Sequence, residues 1–221
     1  MNRPSGFFIT GTDTNIGKTW AAIALMRALQ LRGNRAFGMK PVAAGCEWRQ
    51  GGWKNQDAVW LQQYSSVAVD YDRINPYAFE RPISPHIACG EVYVDPDVIL
   101  SAFEYLKARS DCVVVEGAGG WFSPLGRDLD NALLAKTLQL PVVLVVGMRL
   151  GCINHARLSY QAIRQAGLEV FGWLAVQLEP EMPEFEANLA YLNNSMHARF
   201  LGVLPYLSEP DFDLLAEHVN F

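Results

Sequence analysis

Short apolar runs alternate with longer amphipathic ones along the chain. Residues 7–10 form a first run of strand length, and 111–116 (DCVVVE) and 142–147 (VVLVVG) are two more, continuous and rich in β-branched residues. Unbroken runs of this kind belong to strands covered on both faces, where no alternation with polar residues is needed. Residues 35–40, 169–178 and 200–204 are further strand candidates. Between them lie stretches with helical spacing. The first, 18–32, is rich in Ala and Leu and is stopped by Gly33. Others cover 58–63, 97–108, 129–138, 155–165, 183–196 and a short 211–218. Strand-then-helix alternation predicts an α/β fold, a mostly parallel central sheet with helices on both faces. Two segments break the pattern. Residues 41–55 carry Gly45, Gly51 and Gly52, and residues 75–96 carry Pro76, Pro82, Pro85 and Pro96, so both read as long loops. Such loops inside a compact domain usually do work, and in an open parallel sheet that work lies at the carboxyl ends of the strands.

Composition narrows the function classes. The chain has 221 residues, half of them apolar, which suits one domain over residues 1–221 with a substantial core. Its net charge is -5 and no dense Lys/Arg run occurs, which argues against nucleic acid or an anionic membrane as partner. No segment approaches the roughly 20 apolar residues of a membrane span. The apolar stretch in MNRPSGFFIT is too short for a signal-peptide core, so a soluble cytoplasmic protein is expected. Cys46, Cys89, Cys112 and Cys152 fit no zinc or C-x-x-C spacing, and reduced thiols are the default.

The chemistry begins at residues 11–19, GTDTNIGKT. The phosphate-cradling pattern is G-x-x-x-x-G-K-[ST]. Gly17, Lys18 and Thr19 match its end, but Gly11 stands one residue too early. The stretch follows a strand and opens a helix, the context in which backbone N–H groups and a helix N-terminus favour an anion. A Gly-rich turn capping a helix would share the composition but not the whole context. In this reading Lys18 reaches the β- and γ-phosphates and Thr19 puts its hydroxyl on Mg²⁺. Partition ATPases carry a second lysine four residues before the second glycine. Asp13 occupies that position here.

Glu116 ends an apolar strand and precedes GAGGWF. An acid there holds Mg²⁺ in nucleotide hydrolases, and the phosphate loop favours that reading over a loop-capping acid. Lys40 ends the second strand and would share the phosphate-facing rim with Lys18, an arrangement suited to transfer onto an anionic acceptor. Asp57, at a helix start, reads from spacing as a first-turn acid favoured by the helix dipole, with metal binding as the other reading. In 150–155 (LGCINH), Asn154 looks like a helix N-cap whose neighbouring amides could bind a carboxylate. His86, His155, His197 and His218 show no ligand spacing, and His86 in SPH reads as structural.

Together these phrases resemble the dethiobiotin synthase family. The resemblance rests on GTDT-x-x-GKT at 11–19, KPVA at 40–43, N-x-DA at 55–58, NPY at 75–77 and SPH at 84–86. It continues through VEGAGGWFSPL at 115–125, LPVVLVVG at 140–147, LGCINHA at 150–156, GW at 172–173 and GVLPYL at 202–207, nearly the whole chain. It implies a P-loop NTPase-type domain, a homodimer with active sites near the subunit interface, and Mg²⁺ with ATP as co-substrate. It also implies a reaction. An amine of 7,8-diaminopelargonic acid captures CO₂ as a carbamate, ATP phosphorylates the carbamate, and the second amine closes a cyclic urea.

Carried over by residue, Asp13, Thr14, Asn15, Ile16, Gly17, Lys18 and Thr19 would hold the phosphates, with Thr14 and Lys18 also meeting the carbamate. Lys40 and Ala44 would flank the carbamate end of the substrate. Thr19, Asp57 and Glu116 would hold Mg²⁺. Gly117, Ala118, Gly119 and Gly120 would line the diamine site. Gly151, Cys152 and Asn154 would bind the distal carboxylate, from the neighbouring subunit. Pro205, Tyr206 and Leu207 would flank the nucleotide base.

Three positions depart from the family. Asn15 replaces a frequent acid, Ala44 replaces the serine of KPVASG, and Val176 replaces the base-reading Asn of GW-x-A-N. A base edge left unpaired costs about 1–3 kcal/mol, which predicts weak or altered base selectivity unless Gln177 substitutes. A divergent paralogue, acting as a nucleotide-dependent regulatory or binding protein, is the alternative that these losses raise. Asp13 in place of the switch lysine argues against it. A ligase acting on a larger carboxylate is disfavoured by GCINH.

Overall fold

A computed structural model describes residues 4–49 and 51–220. Strand β1 (Gly6–Gly11) runs through a loop into α1 (Lys18–Leu31) and then β2 (Ala36–Met39). Short elements follow: β3 (Val42–Ala44), β4 (Glu47–Arg49), β5 (Gly52–Lys54), α2 (Gln56–Gln63), α3 (Tyr71–Ile74), β6 (Tyr77–Phe79) and α4 (Pro85–Ala88). Longer elements resume with α5 (Pro96–Lys107), β7 (Cys112–Gly120), α6 (Asn131–Leu138) and β8 (Val142–Met148). The rest is α7 (Cys152–Gln165), β9 (Val170–Gln177), α8 (Phe185–Ser195), β10 (Arg199–Leu204) and α9 (Phe212–Glu217).

Six strands form the central sheet in the order β10-β9-β8-β1-β7-β2, and every pairing in it is parallel. All seven residues of β8 are buried, as its unbroken apolar run requires of a strand covered on both faces. Phe7, Phe8, Phe37, Phe103 and Trp173 are the bulkiest of the fully buried core side chains. The chain places β2 and β7 on one side of β1 and β8, β9 and β10 on the other. The loop after β1 therefore sits where the strand order reverses, the place where open α/β sheets bind ligands.

The expected strands and long helices are present, with small shifts at their ends. The two expected loops are more ordered than their Gly and Pro content predicts. Val42, Ala43 and Ala44 pair in parallel with Tyr77, Ala78 and Phe79, so β3 and β6 tie 41–55 to 75–96. Within the first segment β4 and β5 form an antiparallel hairpin with Trp48 opposite Trp53. Helix α3 has no counterpart in the sequence reading, because four residues are too few to show a period. The N-cap expectation at Asn154 is corrected. Helix α7 is capped by Gly151 at φ 94°, so Asn154 lies inside its first turn. A left-handed backbone there is open to glycine at no steric cost, and it starts the helix early.

Candidate active site

The loop from Gly11 to Thr19 is held by its own polar groups. Lys18 Nζ donates to the Asp13 carbonyl at 2.6 Å. The Asp13 carboxylate accepts from the Thr14 N–H at 2.7 Å and pairs with Arg149, from the loop after β8. Asn15 stands at φ 55°, the left-handed region that Asn tolerates better than most side chains. Gly17 is also left-handed, at φ 81°, and a Cβ there would lie 2.9 Å from Val176 Cγ1. Side chains at 17 and 176 compete for one space, and Val176 fills it.

Lys18 is buried. Loss of solvation lowers its amine to about 8; the Glu116 carboxylate opposes that shift and the neighbouring Lys40 charge adds to it. A lysine kept this far from water holds its charge at a cost until an anion arrives.

The second layer of the site comes from strand register. Met39 lies opposite Val115 across β2 and β7, so Lys40 and Glu116 come level one residue later. Glu116 Oε1 accepts from Lys40 Nζ at 2.7 Å and from the Thr19 hydroxyl at 2.9 Å. Lys40 Nζ also lies 3.1 Å from Asp57 Oδ2. Asp57 reaches that point from the first turn of α2, whose N-cap Asn55 accepts from the Asp57 and Ala58 N–H groups. First-turn acid and neighbour of Lys40 are therefore the same placement. Burial disfavours the Lys40 charge, but Glu116 and Asp57 outweigh it and hold the amine protonated above its usual range. Burial pushes the Glu116 carboxyl above the usual carboxylate range, with Lys40 opposing.

Glu116 Oε2 is buried and has no hydrogen-bond partner among the described residues. Among the described residues no cluster of three His, Cys, Asp or Glu side chains forms a metal cage. The hydroxyl of Thr19, the Asp57 carboxylate and the spare Glu116 oxygen nevertheless fit Mg²⁺. That ion takes one or two carboxylates together with phosphate and water oxygens rather than a dedicated protein cage.

These groups open onto one cleft of about 740 Å³. Thr14, Asn15, Ile16, Gly17, Lys18 and Thr19 form one wall of it. Lys40, Ala44, Asp57 and Glu116 form the floor and side, and the 82–85 loop closes the far side. Ala118 and Gly119 enter from a bulge in β7, where Ile9 pairs with Glu116 but Gly11 pairs with Gly120. Gly117 and Gly120 belong to the same bulge and do not line the cleft. The bulge is stitched by Asn131, fully buried at the start of α6. Its amide donates to the Ala118 and Gly120 carbonyls at 2.7 Å each, and its oxygen accepts from the Ala118 N–H at 3.2 Å.

Other expected residues lie elsewhere. Gly151, Cys152 and Asn154 do not line this cleft. Pro205 lines a second cleft of about 650 Å³ together with Gln177, while Tyr206 and Leu207 line neither. The Gln177 amide donates to the Pro180 carbonyl at 2.9 Å, so it is engaged locally. Four residues that support the site from outside the cleft carry no role in the sequence reading: Arg149, Asn131, and the pair Tyr71 and Asn75, which bond to each other and to the Lys40 carbonyl. A polar side chain in an apolar helical face was the available signal for Asn131, and NPY marked Asn75 without a role.

Residues 5–211 match the family model described as an AAA domain. The chain is 49% identical over 213 residues to the ATP-dependent dethiobiotin synthetase BioD of Aromatoleum aromaticum, covering 96% of this chain and 95% of that protein. It is 49% identical over 208 residues to the BioD of Xanthomonas axonopodis pv. citri, covering 93% and 92%. The chain belongs to the dethiobiotin synthetase family. Among solved structures, the MinD cell division protein of Aquifex aeolicus aligns with a TM-score of 0.58 at 13% identity, covering 97% of this chain and 86% of that one. Chloroplast FtsY of Physcomitrella patens aligns with a TM-score of 0.52 at 14% identity, covering 99% and 66%. These two likenesses concern the fold, a P-loop NTPase-like parallel sheet with helices. Lys18, Lys40, Asp57 and Glu116 are the charged residues that line the cleft.

Proposed function

We propose that the protein is an ATP-dependent ligase of biotin biosynthesis that converts 7,8-diaminopelargonic acid, CO₂ and ATP to dethiobiotin, ADP and phosphate. The observation that carries this reading is the convergence of two lysines on one cleft beside the phosphate loop. Lys18 belongs to the loop, and Lys40 faces it from β2's end. Simple hydrolysis needs a residue to orient water. A carbamate acceptor needs cations instead, because the attacking oxygen is itself anionic.

In this reading the amine of the substrate adds to CO₂ and becomes a carbamate, with loss of a proton. Lys40 and Thr14 hold that carbamate beside Ala44, Ala118 and Gly119. The loop N–H groups and Lys18 orient the triphosphate so that its γ-phosphorus faces the carbamate oxygen. Transfer breaks the bond to ADP and gives a carbamic-phosphoric anhydride. The second amine then attacks the carbamate carbon and loses a proton, the C–O bond to phosphate breaks, and a cyclic urea remains. Thr19, Asp57 and Glu116 would hold Mg²⁺, which neutralises phosphate charge when bound.

The distal carboxylate is assigned to Gly151, Cys152 and Asn154 of a second copy of the chain. Two features support a homodimer. These residues stand outside the chain's own cleft, and Leu150 beside them is fully exposed, with Phe122 65% exposed. Apolar surface beside these residues is open for a second copy to cover. Among the described residues no helix is long and apolar enough to cross a membrane.

The test is one product assay. Pure protein is incubated with diaminopelargonate, bicarbonate, Mg²⁺ and ATP, with Lys18→Ala as control. Dethiobiotin formation well above the control is expected. No product with ATP, CTP or GTP sinks the reading. Nucleotide-dependent changes in assembly with no diamine consumed would favour a regulatory protein.

A further inference from the structure

Lys40 and Asp57 come from segments with no direct sheet pairing between them, yet their charged ends lie 3.1 Å apart. A buried phenol links the two segments. The Tyr71 hydroxyl donates to Asn75 Oδ1 at 2.9 Å and accepts from the Asn55 N–H at 2.8 Å. On one side, the Asn75 amide donates to the Lys40 carbonyl at 2.7 Å and to the Tyr77 carbonyl at 3.1 Å. On the other, Asn55 caps α2 and donates to the Ala44 carbonyl at 3.3 Å. The path is closed. It runs from the Lys40 backbone through Asn75, Tyr71 and Asn55 into α2, and returns from the Asp57 carboxylate to the Lys40 amine.

Each atom on this path is satisfied by the next. Asn55, Tyr71 and Asn75 are all buried. Burial also raises the phenol to about 12, with the Asn55 N–H opposing, so the hydroxyl keeps the proton it donates to Asn75. Lys54 Nζ stands 3.7 Å from the Tyr71 ring centroid, a cation–π contact that fixes the ring from outside. A fully satisfied buried polar network of this kind makes the segments it joins rigid.

We infer that Tyr71 is a positioning residue: its hydroxyl sets the spacing of Asp57 from Lys40, and through Asp57 the affinity for the metal–nucleotide pair. The inference rests on the proposed assignment of Asp57 to Mg²⁺. Tyr71 does not line the cleft, so it acts through Asn55 and Asn75.

Calorimetric titration with ATP separates this role from general damage. ATP is titrated once with Mg²⁺ and once with EDTA, into wild type, Tyr71→Phe and the control Ile163→Val, a buried α7 residue away from the cleft. The gain in affinity from Mg²⁺ is expected to fall about fivefold or more in Tyr71→Phe, with affinity in EDTA changed less than about twofold. Ile163→Val should keep the whole gain. The double variant Tyr71→Phe/Asp57→Asn should lose no more of the gain than Asp57→Asn alone. If Tyr71→Phe does not fold, Asn75→Asp takes its place, because it keeps the acceptor for the phenol and removes the donor to Lys40. An unchanged Mg²⁺ gain in the folded variant, or equal losses with Mg²⁺ and EDTA, overturns the inference. A wild type that shows no Mg²⁺ gain overturns the metal assignment and the inference with it.

Discussion

Lys40 and Glu116 meet as a buried ion pair at 2.7 Å, their side chains 7% and 1% exposed. Removing Lys40 leaves Glu116 buried without the cation that offsets its loss of solvation. Lys40→Met is therefore expected to cost about 3–5 kcal/mol of stability. Lys40→Met combined with Glu116→Gln should recover most of that loss, because the fully buried carboxylate goes with its partner and Asp57, 37% exposed, is left to water. Urea denaturation of the three proteins checks this, and equal losses in single and double variants would contradict it.

Lys18 makes a second prediction, about pH. Its amine is at about 8 in the folded protein against an unfolded value of 10.5. Above 8 the folded state binds fewer protons here than the unfolded chain, so this lysine makes stability rise from pH 8 to about 10.5. The full effect is about 3 kcal/mol as an upper bound. Cys46 and Cys112 work the other way, since burial pushes their thiols up to about 11 and 12. The Lys18→Met variant isolates the lysine. Without nucleotide it should be more stable than wild type at pH 7, and the difference should shrink by pH 10. Midpoints of guanidinium unfolding across that range are the measurement.

Val176 fills the space beside Gly17 with a side chain that has no hydrogen-bonding group. The wild type is expected to prefer ATP over CTP or GTP by only about tenfold in kcat/KM, and Val176→Asn to widen that ratio by about tenfold. A wild-type preference for ATP as strong as that of the variant would show that the base is read elsewhere.

Arg149 pairs with Asp13 while both are about half exposed. An exposed pair of this kind contributes at most about 1 kcal/mol to stability. Its weight should fall on the loop instead. Arg149→Met is expected to raise KM for ATP about threefold or more, with a melting temperature close to wild type. Unchanged KM would make the pair an incidental surface contact.

The central sheet was legible because its strands are apolar on both faces. DCVVVE and VVLVVG could be little else, and the phosphate loop between a strand and a helix located Lys18 and Thr19. The side of the cleft opposite the phosphate loop was not legible. Segments 41–55 and 75–96 hold elements of three or four residues, too short for any period, and β3 pairs with β6 through backbone bonds that leave no trace in side-chain pattern. Asp57 shows the limit of spacing most clearly. Its place in a first helical turn was readable, but its distance from Lys40 depends on Asn55, Tyr71 and Asn75, which meet only in three dimensions. Asn154 was misread because helix start signals favour Asn at the cap, whereas Gly151 supplied the turn by backbone freedom alone.

The strand order carries a consequence for how the chain is made. Strand β1, which launches the phosphate loop, lies between β7 and β8. Gly6 waits for Val113 on one flank, and Phe8 for Val142 on the other. On a ribosome the first strand emerges early and stays unpaired until most of the chain has followed. Pairings this distant in sequence form slowly and leave sticky intermediates. The nucleotide cradle is thus a late product of translation. Nascent chains arrested before Met148 should retain no nucleotide and should need a chaperone to stay in solution.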